Sequence, residues 1–174
     1  MKDVLERAAR VRLVVFDVDG VLTDGSLFFG DDGEEYKAFH ARDGQGMAML
    51  REAGVEIGVI SGRTSRAVTH RMSSLHVSHV YQGQQDKLAA FEELLGKLGL
   101  TAEEAAFVGD DVIDLPILLR AGLAIAVADA HPLVARHAHW QTPSAGGRGA
   151  GRDVCELVLE ARGQLEALAQ RYLR

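Results

Sequence analysis

Short apolar runs alternate with segments of helical periodicity along most of the chain. The runs are rich in β-branched residues and have the length of buried strands, at residues 11–16, 55–60, 105–108 and 123–127. Helical spacing of apolar positions predicts helices at about residues 45–53, 65–75, 84–98, 111–121 and 152–173. This alternation predicts an α/β fold, in which helices cover both faces of a mainly parallel sheet.

One segment, at about residues 21–39, interrupts this alternation. Two apolar–aromatic stretches flank the sequence Gly30-Asp31-Asp32-Gly33, which predicts a β-hairpin because glycine and aspartate suit its turn positions. The hairpin would follow the first strand at the sheet edge where open α/β folds bind ligands. It could be a plain surface excursion. The apolar residues Leu27, Phe28 and Phe29 instead favour a partner surface or an active-site cover.

Length and composition predict one soluble domain over residues 1–174, with a C-terminal tail from about residue 145. The net charge of −6, from 19 basic and 25 acidic residues, favours neither a nucleic-acid nor a membrane partner. No apolar run approaches the roughly 20 residues of a membrane-spanning helix, and the charged start does not look like a secretory signal. A single cysteine, Cys155, cannot form an intrachain disulfide, so we expect a cytoplasmic protein.

Acidic residues follow the first predicted strand, with Asp17 and Asp19 separated by one residue and followed by Gly20. A carboxylate at the end of a buried strand is unfavourable unless it has a cation partner or a chemical role. An aspartate-rich turn leaving a strand is an equally good explanation for this pair alone.

A second acidic cluster, Asp110, Asp111 and Asp114, follows the third predicted strand. One of the adjacent aspartates could simply cap the next helix. Two acidic clusters at two strand ends nevertheless suit a hard divalent cation such as Mg²⁺, which prefers oxygen ligands.

Two further features could bind an anion. Ser61-Gly62-Arg63 lies between a strand and a helix, where a hydroxyl and free backbone N–H groups can hold a phosphate. Lys87 lies near a helix start, which is either a solvated lysine or a phosphate ligand. Both signals are weak when taken separately.

The four features occur in the order typical of haloacid dehalogenase superfamily phosphatases, and the chain resembles that superfamily over residues 13–114. The resemblance implies a Rossmann-like, doubly wound domain and an enzyme that requires Mg²⁺. It implies that Asp17 is the nucleophile, forming an aspartyl phosphate, and that Asp19 is the general acid and base. The implied metal ligands are Asp17, the Asp19 backbone carbonyl and Asp110, with Asp111 and Asp114 around them.

A narrower resemblance covers nearly the whole chain. The segments FDVDGVLTDG, FHARDGQG, YQGQQDK, GDDVIDLP and GGRGAGRD are similar to those of the 3-deoxy-D-manno-octulosonate 8-phosphate phosphatases, a cap-less family in lipopolysaccharide precursor synthesis. Related enzymes act on nine-carbon neuraminate-type 9-phosphates, which remains an alternative substrate. A non-catalytic binding domain is another alternative, although the intact Asp17, Asp19, Lys87 and Asp110 argue against it.

The family resemblance also implies a substrate site and an assembly. The implied phosphate- and sugar-binding residues are Asp19, His40, Arg42, Asp43, Gly44, Ser61, Arg63, Arg71 and Lys87. Ala48 stands where several relatives carry Lys or Arg, so the chain lacks one contact to an acidic sugar that those relatives could make. The implied assembly is a homotetramer, in which one subunit's hairpin and another's C-terminal tail help to enclose each site. Arg148 and Arg152 are the candidate phosphate-approaching residues of that tail.

Overall fold

The fold consists of a parallel sheet with helices on both faces and a small hairpin. A computed structural model describes residues 1–173. Its strands are β1 (Leu13–Phe16), β2 (Phe28–Phe29), β3 (Glu35–Tyr36), β4 (Glu56–Ile60), β5 (His79–Tyr81), β6 (Ala105–Gly109), β7 (Leu123–Ala126) and β8 (Trp140–Gln141). Its α-helices are α1 (Lys2–Ala9), α2 (Ala41–Glu52), α3 (Arg66–Ser74), α4 (Lys87–Leu98), α5 (Leu115–Leu118), α6 (Pro132–His137), α7 (Ala150–Ala161) and α8 (Leu165–Ala169). Short 3₁₀ turns occupy Ala102–Glu104, Val112–Asp114 and Gln170–Tyr172.

The strand order in the main sheet is β5-β4-β1-β6-β7-β8, and every neighbouring pair is parallel. The predicted doubly wound α/β fold is therefore confirmed. From β1 the chain adds strands first on one side and then on the other, which opens a crevice at the carboxyl ends of β1 and β6. Ligands of open α/β sheets bind in such a crevice.

The side chains of β1 alternate between two hydrophobic cores. Val14 and Phe16 point into a core that also contains residues of α1, α2, α3 and α7. Leu13 and Val15 point into the opposite core, with residues of α4, α5 and α6. All four side chains are fully buried, each contributing roughly 1.5–3 kcal/mol of transfer free energy. Because β1 is buried on both faces, its sequence is a continuous apolar run instead of an alternation of apolar and polar residues.

The four predicted strands are confirmed to within two residues at each end. The edge strands β5 and β8 were not predicted, because three and two residues are too short to show a period. The helix predicted over 111–121 is a 3₁₀ turn followed by the four-residue α5. The single helix predicted over 152–173 is wrong: it is interrupted near Gly163, whose φ of 67° lies in the left-handed region that ends helices.

The predicted hairpin is confirmed, with β2 and β3 paired antiparallel and Gly33 at a φ of 81° in the turn. Leu27, Phe28 and Phe29 are 45%, 56% and 61% exposed. Within residues 1–173 this hairpin is the insertion between β1 and α2, and no cap domain is present. None of the helices described is long and apolar enough to cross a membrane.

Candidate active site

Asp17 and Asp110 lie at the carboxyl ends of β1 and β6, which are neighbours in the sheet. The backbone N–H of Asp17 donates to the carbonyl oxygen of Val108 at 3.0 Å, so the ladder of the sheet continues to the site. Asp17, Asp110 and Asp114 each bring a carboxylate oxygen within 4.8 Å of the others. Parallel pairing thus brings together the two acidic clusters seen in the sequence.

Lys87 contacts two of these three carboxylates. Its Nζ is 3.0 Å from Oδ1 of Asp17 and 2.7 Å from Oδ1 of Asp114. Lys87 is the first residue of α4, whose N-cap Asp86 accepts hydrogen bonds from two backbone N–H groups. Burial lowers the pKa of Lys87, but attraction to Asp17 and Asp114 outweighs it, so the pKa is raised and the side chain stays charged.

Asp114 is fully buried and holds the loop that carries Asp110. Its Oδ2 accepts the backbone N–H groups of Asp110 at 3.0 Å and Asp111 at 3.4 Å, while Oδ1 contacts Lys87. Asp111 caps the following 3₁₀ turn by accepting the N–H of Val112, so the capping explanation applies to this aspartate. Both oxygens of Asp114 are therefore already engaged.

Asp17 and Asp110 have the chemistry to hold a divalent cation. Burial, followed by repulsion from Asp114, raises the pKa of Asp17 to about 7 although Lys87 opposes this rise. Burial and repulsion from Asp17 likewise raise the pKa of Asp110 to about 7. Oδ1 of Asp110 is buried with no hydrogen-bond partner among the described residues. A cation would relieve this repulsion, so the residues fit Mg²⁺.

Gly20 brings the backbone after Asp19 against Asp110. A Cβ on Gly20 would lie 2.0 Å from Oδ2 of Asp110, and its φ of 88° also favours glycine. The peptide that joins Asp19 to Gly20 therefore lies beside the Asp110 carboxylate. This arrangement is compatible with the Asp19 carbonyl as a third metal ligand.

The Asp19 side chain points to a different set of residues. It contacts Lys37, and its Oδ2 is 3.9 Å from Nε of Arg63. The sequence motifs did not predict a functional role for Glu35 and Lys37, two charged residues of the hairpin. The available signal was a charged pair, Glu35 and Lys37, spaced by one residue in an arm that also contains Tyr36 and Phe39.

Ser61 and Arg63 occupy the loop after β4, on the other side of β1. Ser61 is buried, and its Oγ accepts the backbone N–H of Arg63 at 3.3 Å. A Cβ built on Gly62 would lie 4.0 Å from Cε of Lys87, so this loop lies next to Lys87. The structure thus brings Ser61 and Lys87 to one edge of the sheet.

The remaining predicted substrate residues form a second group around Arg71. Its guanidinium lies 6.0 Å from the ring centroid of Phe39, donates to the carbonyl of His40 at 3.5 Å, and packs on Gly44. Arg42 is exposed. Within residues 1–173, no side chain of this group forms a hydrogen bond or ion pair with Asp17, Asp19 or Asp110.

Asp43 belongs to the same sequence motif, and one oxygen of its carboxylate contacts α7, while Oδ2 is buried with no hydrogen-bond partner among the described residues. The residue is 3% exposed, and its Oδ1 accepts the backbone N–H of Arg152 in the first turn of α7 at 2.9 Å. Burial raises the pKa of Asp43, although this hydrogen bond opposes the rise. Asp43 therefore ties α2 to α7.

The glycine-rich segment before α7 lies on the loop that follows β1. Gly147 donates its N–H to the carbonyl of Val21 at 2.9 Å, and a Cβ on Gly146 would lie 1.8 Å from the carbonyl oxygen of Gly20. Within the chain, the guanidinium of Arg148 pairs with Asp24 at 3.2 Å, and that of Arg152 pairs with Glu156 at 2.7 Å.

Comparison with known proteins identifies the family to which the chain belongs. A family profile described as haloacid dehalogenase-like hydrolase matches residues 73–150. The 3-deoxy-D-manno-octulosonate 8-phosphate phosphatase of Yersinia pestis is 48% identical over 164 residues, covering 94% of this chain and 88% of the relative. The chain belongs to this phosphatase family, within the haloacid dehalogenase-like hydrolases.

Solved structures in this family extend the similarity to the whole fold. A probable phosphatase from Pseudomonas syringae pv. phaseolica is 48% identical with a TM-score of 0.98, covering 100% of this chain and 99% of that one. The Moraxella catarrhalis phosphatase, crystallised with magnesium, phosphate and KDO, is 37% identical with a TM-score of 0.97 and 99% coverage of both chains. The resemblance inferred from the motifs is confirmed.

Proposed function

We propose that this chain hydrolyses 3-deoxy-D-manno-octulosonate 8-phosphate to the free sugar acid and phosphate, as a Mg²⁺-dependent enzyme of lipopolysaccharide precursor synthesis. The observation that carries the proposal is 48% identity to phosphatases of that specificity over 94% of the chain. The cluster of Asp17, Lys87 and Asp110 supplies the chemistry such a reaction needs.

In the first step, an oxygen of Asp17 attacks the phosphorus atom and forms an aspartyl phosphate. The bond between phosphorus and the sugar oxygen breaks, and Asp19 donates a proton to the departing oxygen. Lys87 already contacts Oδ1 of Asp17, so its ammonium group is in position to offset charge on the phosphoryl oxygens. The hydroxyl of Ser61 donates to another of these oxygens.

In the second step, Asp19 accepts a proton from a water molecule, which attacks the aspartyl phosphate. The acyl phosphate is hydrolysed, phosphate leaves, and Asp17 is free again. Asp17, Asp110 and the Asp19 carbonyl would hold Mg²⁺. When bound, the metal would reduce the repulsion between the anionic nucleophile and the anionic phosphate.

A comparison of substrates tests this proposal. We expect kcat/KM of the purified protein with Mg²⁺ to be at least tenfold higher, as an order of magnitude, for the eight-carbon 8-phosphate than for a nine-carbon neuraminate-type 9-phosphate. The reverse preference would assign the enzyme to the nine-carbon substrate. Binding of both sugars without turnover would instead indicate a non-catalytic domain.

We also propose that one phosphatase domain spans residues 1–174, of which Arg174 lies outside the described residues, and that it acts in the cytoplasm as a homotetramer. The exposed side chains of Leu27, Phe28 and Phe29 support assembly, because a closed symmetric oligomer can cover them. A cap-less active site also gains from a neighbour's segment that excludes water. In the tetramer each active site is shared between adjacent subunits.

Replacing both Phe28 and Phe29 with Asp tests the assembly. We expect smaller species in light scattering, and a decrease in sugar-phosphate turnover of roughly tenfold or more because the site is less enclosed. Replacing the exposed Leu119 with Asp, away from the hairpin, is the matched control. A fully active monomeric wild type would contradict the proposal.

A further inference from the structure

Asp19 and three other charged side chains form a closed ring. Lys37 contacts Oδ1 of Asp19 and Oε1 of Glu35. Nη2 of Arg63 donates to Oε2 of Glu35 at 2.9 Å, and Nε of Arg63 is 3.9 Å from Oδ2 of Asp19. The ring alternates two cations and two carboxylates, and two of its four members come from the hairpin.

The burial of Lys37 distinguishes it from a surface lysine. Its side chain is 1% exposed, while those of Asp19 and Glu35 are 19% and 14% exposed. Lysine is rarely buried so completely unless its charge is paired, and an exposed pair would contribute little. The Lys37 side chain is therefore fixed by two carboxylates and is itself shielded from solvent.

The two carboxylate oxygens of Asp19 have different contacts within the ring. Oδ1 is held by Lys37, whereas Nε of Arg63 lies beyond hydrogen-bonding distance from Oδ2. Among the residues described, none forms a hydrogen bond with Oδ2. One oxygen is thus anchored, and the other is left to exchange a proton with the leaving oxygen or with water.

We propose that Lys37 is a positioning residue for the acid and base Asp19, and that Glu35 holds Lys37 in place for this purpose. The proposal rests on the hydrolytic function proposed above. It links the hairpin to the chemistry through contacts within the chain, because Lys37 directly follows β3. Loss of its ammonium group should free the Asp19 side chain to turn away from the leaving group.

The test uses substrates that differ in their need for the acid. A sugar phosphate has a poor leaving group that must be protonated, whereas p-nitrophenolate departs from p-nitrophenyl phosphate without a proton. Lys37→Met removes the positive charge and Lys37→Arg keeps it. Glu35→Gln keeps Lys37 but removes the charge of one of its two carboxylate partners. Lys97→Met, on the exposed side of α4, is the matched control.

For Lys37→Met we expect sugar-phosphate kcat to fall roughly 10- to 100-fold with little change in KM, because general acid–base catalysis contributes about 10²–10⁴-fold. The rapid burst of p-nitrophenolate that accompanies phosphorylation of Asp17 should persist, followed by slow turnover. Lys37→Arg should restore most of the activity, and Glu35→Gln should show a weaker form of the same pattern. Lys97→Met should match the wild type.

Equal losses in the burst and in sugar-phosphate turnover would mean that Lys37 only supports the fold, and the proposal would be overturned. Wild-type kinetics in Lys37→Met would overturn it as well. If Lys37→Met does not fold, Glu35→Gln provides the same comparison, with Lys37→Arg as the variant that keeps the charge. Failure of the substrate assignment is separately visible, since the wild type would then hydrolyse other sugar phosphates but not the octulosonate.

Discussion

Asp17 and Asp19 are separated by one residue, but different parts of the fold hold their side chains. Asp17 is 5% exposed and contacts Lys87, which Asp114 fixes from the loop after β6. Asp19 instead contacts Lys37 of the hairpin. The groups that hold the Asp17 side chain follow strands of the main sheet or open a helix packed on it. The direct contact to Asp19 comes instead from an insertion outside that sheet, and Arg63, after β4, lies 3.9 Å away.

This difference corresponds to the two roles proposed for the carboxylates. A nucleophile needs one fixed line of approach to phosphorus, and sheet pairing provides rigid positioning. A group that acts first as acid and then as base must meet two different partners in succession. Lys37 of the hairpin contacts one carboxylate oxygen of Asp19, and none of the described residues forms a hydrogen bond with the other oxygen, which can serve both partners.

The largest effect is expected for Asp17→Asn. This change keeps the shape of the side chain but removes the nucleophilic charge, so turnover should fall on the order of 10⁴-fold or more. The melting temperature should be maintained, because burial already disfavours the charged form. Asp3→Asn on α1 is an exposed control that should leave activity unchanged. A folded Asp17→Asn protein with near-wild-type turnover would show that another group attacks phosphorus.

A somewhat smaller loss, about 10²–10⁴-fold in turnover, is expected for Asp19→Asn because the proton shuttle is removed. The backbone carbonyl remains, so a beryllium fluoride mimic of the aspartyl phosphate should still form on Asp17 in the presence of Mg²⁺. Fluorine NMR can detect this adduct, and Asp17→Asn is the negative control. An Asp19→Asn protein that cannot form the adduct would indicate that Asp19 acts mainly on the metal.

Lys87→Met should decrease turnover by roughly 10²–10³-fold, because it removes charge stabilisation from the phosphoryl group. It should also reduce the free energy of unfolding by about 3 kcal/mol, since Asp17 and Asp114 lose their buried partner. Adding Asp114→Asn should recover part of this stability, measured by urea unfolding, but not the activity. Unchanged stability in Lys87→Met, as expected for the Lys97→Met control, would contradict the buried ion-pair cluster.

The remaining prediction concerns the effect of pH and metal on stability rather than on turnover. The pKa values of Asp17 and Asp110 are about 7 in the metal-free fold, compared with about 4 when unfolded. The folded state therefore binds more protons in this window, and its stability should fall as pH rises from about 4 to 7, by a few kcal/mol as an order of magnitude.

Because Mg²⁺ favours the charged carboxylates, it should raise the melting temperature more at pH 8 than at pH 5. Melting curves in EDTA and in Mg²⁺ at both pH values measure the difference. Asp110→Asn should reduce the Mg²⁺ effect at pH 8. An equal Mg²⁺ effect at the two pH values in the wild type would contradict titration of the metal-site carboxylates.

The sheet core and the acidic clusters could be predicted because local sequence determines them. β1, β4, β6 and β7 are long apolar runs, and Asp17, Asp110 and Lys87 stand directly after strands or at a helix start. Parallel pairing then brings such strand ends together whatever the details of the connections.

Other features depend on contacts that are distant in sequence. Lys37 looks like a surface residue until the hairpin folds towards the carboxyl end of β1, where Asp19 lies. Asp43 resembles a substrate ligand in its motif, yet it accepts a hydrogen bond from α7, 109 residues away. The break at Gly163 was missed because the apolar stripe continues across it.

Chemical trapping of the covalent intermediate tests the central claim most directly. A single turnover with the octulosonate 8-phosphate is quenched in acid, the protein is reduced with borohydride, and its peptides are mapped by mass spectrometry. An aspartyl phosphate at Asp17 predicts reduction to homoserine at that position and at no other acidic residue of the site. Homoserine at Asp110 or Asp114, or full turnover without any reduced residue, would contradict the assignment of Asp17 as the nucleophile.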